Sequence, residues 1–277
     1  MSKNALIIVG ADKGGVGKTT ICRTLVDYLA ARKLPVRAFD TECPNGNLKR
    51  FYPDDTEVVD FSSVSDQMRI LDTLESANGA VTILDIRAGL FSEALRTFER
   101  INLFDVLRHG DVSFTIIHVV GPSVSSMSEI GDLTRFATHT KYCVAKNSTN
   151  DSTFFDWNPQ MCAEYQRNIG AVDQITVPKL IEMAYEQVDV SSLSFASFVA
   201  NQIPGGKANP HSVVLRGYVR HWLGTVWAEF DRIKLWEVLD KSARQERRPE
   251  QERRPEQERR PEQEAPVARP AELARRA

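Results

Sequence analysis

Lys13-Gly14-Gly15-Val16-Gly17-Lys18-Thr19-Thr20 follows closely on an apolar run, Ala5–Val9, and leads into a segment carrying Leu25, Leu29 and Ala30 on one helical face. Glycines let a backbone curl so that successive N–H groups point inward and form an anion nest. A helix opening near Lys18 adds the positive end of its dipole. In such a loop the backbone of Gly14, Gly15, Val16, Gly17 and Thr20 cradles phosphate. The Lys18 ammonium reaches the β- and γ-phosphates, and the Thr19 hydroxyl ligates Mg²⁺. An ordinary glycine-rich turn has no need of a lysine and a hydroxyl at these positions as well.

Outward from the loop, apolar runs alternate with helix-like stretches. Ala5–Val9, Val36–Phe39, Val81–Leu84, Phe114–Val120, Tyr142–Ala145 and Gln174–Val177 read as buried strands. Thr19–Arg32, Val64–Ser76, Phe91–Leu107, Ser125–Thr138 and Met161–Ile169 read as amphipathic helices. This alternation predicts an α/β fold, a Rossmann-like P-loop NTPase whose mostly parallel sheet has helices on both faces and right-handed crossovers. Ligands of such sheets sit at the carboxyl ends of the strands, so chemistry is expected just after each run.

The chain has 277 residues, 42% hydrophobic and 26% charged, with a net charge of -2. That composition is that of a globular protein, and no window approaches the roughly 18 apolar residues of a membrane span. The four cysteines are scattered without a CxxC pair, which argues against a zinc ribbon or disulfide scaffold and fits a reducing cytoplasm. The organisation expected is a nucleotide-binding domain over residues 1–244 and a tail over 245–277. Gln245–Glu262 is three copies of the hexad Gln-Glu-Arg-Arg-Pro-Glu, each neutral. Proline every six residues and the lack of apolar side chains predict a disordered tail.

The loop departs from the standard pattern at Asp12, where glycine is usual, and in opening on Lys13. It resembles the deviant Walker A motif, K-G-G-x-G-K-[ST], of the ParA/MinD ATPase family, and the match from Lys13 to Thr19 is complete. The resemblance implies ATP with Mg²⁺, and a homodimer in which Lys13 crosses to the partner's nucleotide. It also implies catalytic parts for Lys13, Lys18 and Asp40, the last corresponding to the first acid of the family's D-x-D-P-Q-like segment, which orients the attacking water. Glu42 stands in place of the second acid. Asp85, ending the strand before Ile86-Arg87-Ala88-Gly89, takes the Walker B position and joins Thr19 in the metal shell. Gly89 would offer an N–H near the γ-phosphate. Asn147 corresponds to the residue that reads the adenine edge, and Pro178 to the base-binding loop; a turn asparagine and a helix-starting proline are the alternatives.

Val213–Leu239 carries Val219, Trp222, Leu223, Val226, Trp227 and Phe230 at helical spacing, with Arg216, Arg220, Arg232 and Lys234 among them. It reads as a helix packed on the sheet, as a nucleic-acid contact, or as a membrane-surface helix; the polar repeat beyond it argues against the last. The resemblance implies slow ATP hydrolysis that releases the dimer from non-specifically bound DNA, a ParB-like or other adaptor protein, and a part in plasmid or chromosome segregation or maintenance. The location implied is cytoplasmic, on the nucleoid if DNA is bound. Rival readings are an ATPase that positions a protein complex (a conjugation, secretion or cellulose-synthesis apparatus) and a non-hydrolysing nucleotide switch. An iron–sulfur reductase would need paired cysteines, which Cys43, Cys143 and Cys162 do not supply.

Overall fold

The computed structural model describes residues 4–76, 80–109, 112–138, 140–154, 172–202 and 211–235. The helix expected at Met161–Ile169, the hexads and the boundary at residue 244 lie outside them. Among the described residues the strands are β1 (Asn4–Gly10), β2 (Val36–Asp40), β3 (Thr56–Val58), β4 (Val81–Asp85), β5 (Val112–Val120), β6 (Lys141–Asn147) and β7 (Asp173–Val177). The helices are α1 (Lys18–Ala31), α2 (Val64–Ser76), α3 (Phe91–Arg100), α4 (Leu103–His109), α5 (Val124–Leu133), α6 (Glu182–Ser191), α7 (Phe195–Val199) and α8 (Val213–Arg232). All seven strands join one sheet in the order β3-β2-β4-β1-β5-β6-β7, with every pairing parallel.

Each strand sends alternate side chains to opposite faces, and β1 feeds two cores. Ala5, Ile7 and Val9 pack with α1, α6, α7 and α8, among them Leu25, Leu29, Val188, Phe198, Val226 and Phe230. Leu6 and Ile8 pack with α2 to α5, among them Leu74, Phe91, Phe98 and Ile130. Burial on both sides explains why these strands read as unbroken apolar runs.

Three expectations are corrected. Phe91–Leu107 is not one helix: it breaks after Arg100, where Asn102 takes φ 58, a left-handed conformation that asparagine tolerates. Ser125–Thr138 becomes α5 followed by a 3₁₀ turn at Thr134–Thr138. The C-terminal helix closes at Arg232, although Ile233 and Leu235 remain buried. Within that helix, Arg216 donates to the Val199 carbonyl and Arg232 binds Glu229 and the Gln174 carbonyl. Arg220 and Lys234 are exposed.

A polar cluster ties α1 to the C-terminal helices. The Arg23 guanidinium is buried between the rings of Phe51 and Phe195, 3.4 and 4.1 Å from their centroids. One turn on, Asp27 accepts the Ala196 N–H at 2.9 Å. Burial pushes its pKa up from 3.8 to about 6, against the opposing pull of the Ala196 amide, the Tyr52 and Ser194 hydroxyls and Arg23. A carboxyl whose pKa is raised on folding contributes stability below its unfolded value, and that contribution is lost as pH rises through the folded value. Asp27→Asn removes the titration and keeps an oxygen for the Ala196 amide. From pH 4 to pH 7 the wild type is therefore expected to lose up to about 3 kcal/mol relative to the variant. Urea unfolding at the two pH values measures this, and a constant difference between the proteins would rule it out.

Candidate nucleotide-binding site

The register places Asp85 beside Val9 on one side and beside Asp40 on the other. Three strands thus end at one level, and residues 11–17 curl over them. Gly15 and Gly17 have φ of 74° and 90°, values that side chains resist. Gly17 is fixed by contact as well, since a Cβ there would lie 2.1 Å from Asn147 Nδ2. It ends the loop as the α1 N-cap, with no side-chain cap. The first helical bond runs from the Ile21 N–H to the Gly17 carbonyl, so the amides of Lys18, Thr19 and Thr20 have no partner within the helix. Free amides at a helix start are an anion site.

Lys18 lies buried beneath the loop, with Nζ donating to the Lys13 carbonyl at 3.2 Å. Burial lowers its pKa, and the negative charges of Asp85, Glu42 and Glu129 oppose that shift. Lys13 itself is exposed and forms no ion pair among the described residues.

Asp85 is buried, and its Oδ2 has no hydrogen-bond partner. Burial, reinforced by the charge of Asp40, pushes its pKa up to about 7, while the Thr19 hydroxyl, the Cys22 thiol and Lys18 pull it down. An unpaired buried carboxylate oxygen next to a hydroxyl is what a divalent cation would complete, and a cation there would favour the ionised acid. No group of three or more His, Cys, Asp or Glu suited to a metal occurs among the described residues. Mg²⁺ keeps several waters and takes further oxygens from phosphate, so Thr19 and Asp85 would be its only protein ligands. The residues fit the ion.

Asp40 is also buried, but its oxygens are engaged: Oδ1 accepts the Glu42 N–H at 2.9 Å, and Oδ2 accepts those of Leu48 at 2.6 Å and Lys49 at 3.4 Å. It thereby folds residues 41–49 against the end of β2. Glu42 is exposed at the phosphate loop. Thr41, not singled out in the sequence, joins the strand ends by donating to the Asp85 carbonyl at 3.1 Å and accepting the Arg87 N–H at 2.8 Å. Gly89 directs its N–H to the Asp12 carbonyl at 3.0 Å.

Two cavities flank the loop. One, about 450 Å³, is lined by Gly17, Asn147, Pro178, Glu182, Tyr185 and Trp222. Asn147 is the last residue of β6, and its Nδ2 donates to the Val16 carbonyl at 2.8 Å. Pro178 does not start a helix, since α6 begins at Glu182; its carbonyl accepts the Trp222 indole N–H at 2.6 Å. The other cavity, about 530 Å³, lies over Lys18 and Thr19 and reaches Arg23, Glu42 and Arg50. Both share Gly15, Gly17, Thr20 and Tyr185. The two cavities thus adjoin along the loop, the second bordered by Lys18 and Arg23 as well as Glu42. Tyr185, Trp222 and Arg23 were not foreseen as site residues. Trp222 shows in the sequence only as one apolar position of a helix stripe, and no spacing signal places it at the loop.

A family model described as the CobQ/CobB/MinD/ParA nucleotide binding domain matches residues 7–218. The chain belongs to this family. Its resemblance to ParA/MinD ATPases, and the P-loop fold expected from the phosphate loop, hold. The MinC:MinD cell division protein complex from Aquifex aeolicus is 15% identical over 80% of this chain and 96% of that one, with a TM-score of 0.47. MinD from the same organism is 14% identical, over 80% and 97%, at 0.45. A McdA–ATP complex from Cyanothece is 15% identical, over 80% and 96%, at 0.40. No sequence among curated proteins matches the chain. No helix among the described residues is long and apolar enough to cross a membrane.

Gly17→Ala tests the loop geometry directly. Its Cβ meets the Asn147 amide tip in a conformation already strained for alanine, so the loop must shift or Asn147 must give up its bond to the Val16 carbonyl. Nucleotide affinity is expected to fall by about tenfold or more, as for a lost charge-assisted contact, by fluorescent-nucleotide titration. Unchanged affinity would show that the loop does not need this approach.

Proposed function

We propose that the protein is an ATP-dependent dimerising ATPase whose ATP-bound dimer holds DNA and lets go on hydrolysis, serving plasmid or chromosome segregation or maintenance with an adaptor protein. The observation that carries this reading is the pairing of two lysines. Lys18 is buried under the loop, whereas Lys13, at its mouth, is exposed and has no ion-pair partner among the described residues. A single subunit has no evident use for the second ammonium, but a second nucleotide facing it does.

In this mechanism the free amides of residues 18–20 and Lys18 bind the β- and γ-phosphates of ATP. Thr19 and Asp85 would hold Mg²⁺, which when bound would neutralise phosphate charge. Asn147 and Pro178 border the base. Asp40 keeps Glu42 at the loop, and Oδ1, with one hydrogen bond, retains capacity to accept a second from the attacking water. Lys13 reaches the partner subunit's nucleotide and offsets charge developing on the transferred phosphate. Exposed Arg220 and Lys234 on the C-terminal side offer contacts to DNA phosphates.

Lys18→Ala is expected to abolish binding of fluorescent ATP. Asp85→Ala is expected to keep some binding and lose Mg²⁺-dependent turnover; turnover that keeps its Mg²⁺ dependence moves the metal role elsewhere, with Asp40 the first candidate.

Lys13→Ala separates this reading from an ordinary P-loop protein. ATP should still bind, because Lys18 and the amides remain, while the ATP-dependent dimer weakens. A charged hydrogen bond contributes roughly 1.5–3 kcal/mol, and the dimer has two. Light scattering with ATP should show the loss, with turnover and salt-sensitive DNA binding falling together. Normal dimerisation of the variant refutes the trans role. An ATP dimer with no affinity for DNA points to a protein surface as cargo instead.

A further inference from the structure

Asp12 stands where a standard phosphate loop has glycine, and its contacts lead away from the nucleotide pocket. Its Oδ1 accepts the Ser92 N–H at 3.1 Å, and its Oδ2 accepts the Ser92 hydroxyl. Its carbonyl accepts the Gly89 N–H at 3.0 Å. Its own N–H donates to the Glu129 carboxylate at 2.9 Å. Every polar atom of this residue is therefore bonded: two of the four bonds go to Ser92 in α3, one to Gly89 in the segment before it, and one to Glu129.

Ser92 is the second residue of α3. The helix's own N-cap is Leu90, which provides no side-chain acceptor. A helix start leaves its first amides without partners, and a carboxylate there is favoured both by the hydrogen bond and by the helix dipole. Asp12 thus caps α3 from 80 residues away. The segment it closes begins at Asp85, and its near end is fixed too: Ile86 donates to the Val9 carbonyl at 2.9 Å, and Arg87 to Thr41.

We propose that Asp12 is a positioning residue that clamps the segment following Asp85, and the start of α3, to the phosphate loop, so that nucleotide loading is carried into α3. The proposal rests on the nucleotide reading above for its ligand. The carrier is the next residue: Lys13 holds Lys18 Nζ through its carbonyl at 3.2 Å. Phosphates that draw Lys18 toward themselves release that bond and free the backbone beside Asp12. Because the carboxylate is bonded to α3 and the carbonyl to Gly89, a shift of Asp12 moves both. A hydrophobic side chain at residue 12 would leave α3 uncapped and the two loops uncoupled.

Hydrogen exchange over residues 86–95 of the full chain, without nucleotide, with ADP and with Mg·ATP, tests this in the wild type, Asp12→Ala, Asp12→Asn and Ser92→Ala. In Asp12→Ala the Ser92 amide should lose about tenfold in protection, as for a lost hydrogen bond to a charged group. The nucleotide-dependent change seen in the wild type should disappear. Turnover should fall with little change in KM, and Asp12→Asn, whose carbonyl oxygen still accepts from Ser92, should restore both. Identical exchange in the wild type and Asp12→Ala overturns the proposal, as does a nucleotide response that survives in Asp12→Ala. If Asp12→Ala does not fold, Ser92→Ala, which removes one of the two side-chain bonds, should show a partial loss; wild-type exchange there overturns the clamp. A wild type whose exchange responds to nucleotide without turnover defeats the ATPase reading and supports the clamp. Turnover with no exchange response defeats the clamp alone.

Discussion

A carboxylate oxygen buried at the end of β4 without a partner is the constraint around which this molecule is arranged. Burying an unpaired acid is unfavourable by several kcal/mol unless it is neutralised or meets a cation. Here the environment makes matters worse, because Asp40 stands next to Asp85 in the register and adds a second negative charge. Lys18 offsets part of it but is itself held down by burial. The pocket therefore holds two acids, one lysine and a row of free amides, and no internal pairing satisfies them all. In the reading proposed above, a metal-bound phosphate would satisfy them together.

The parallel sheet makes this arrangement possible. Antiparallel neighbours would put consecutive strand ends on opposite edges, whereas parallel ones bring β1, β2, β4 and β6 to a single edge. Asp40, Asp85, Asn147 and the loop after Gly10 meet there although more than a hundred residues separate the first from the last. The two cores hold the level of these ends, since a slip of one residue in β1 would exchange Ile7 and Ile8 between faces.

Most of the sheet could be read from the sequence because β1, β4 and β5 are buried on both faces and so show as apolar runs, and β2, β6 and β7 keep shorter ones. β3 could not. It is three residues long, Thr56–Val58, and gains its place only as an edge partner of β2. α6 and α7 escaped for a related reason: their few buried residues, Ala184, Val188, Phe195 and Phe198, are too sparse to mark a helical face. The phosphate loop was legible because its chemistry is local, carried by neighbours in the chain. The far wall of the cavity beside Asn147 was not. Tyr185 and Trp222 arrive from α6 and α8, and Trp222 is fixed by the Pro178 carbonyl, a long-range bond with no trace in residue spacing.

Asp40 and Asp12 show how one residue type takes different work from its surroundings. Both carboxylates accept backbone amides from a following or distant segment, and each holds a loop that borders the phosphates. Asp40 organises its own loop, eight or nine residues on. Asp12 reaches across the sheet edge to a helix that cannot cap itself. Such bonds are formed by charged acceptors and are stronger than neutral ones. Both loops are thus pinned by a few strong polar contacts in addition to packing of residues such as Leu48 and Ile86. Glycine at 12 would provide neither carboxylate bond, so the departure from the standard loop that first marks this sequence as unusual is also where the phosphate loop and the segment after β4 are joined.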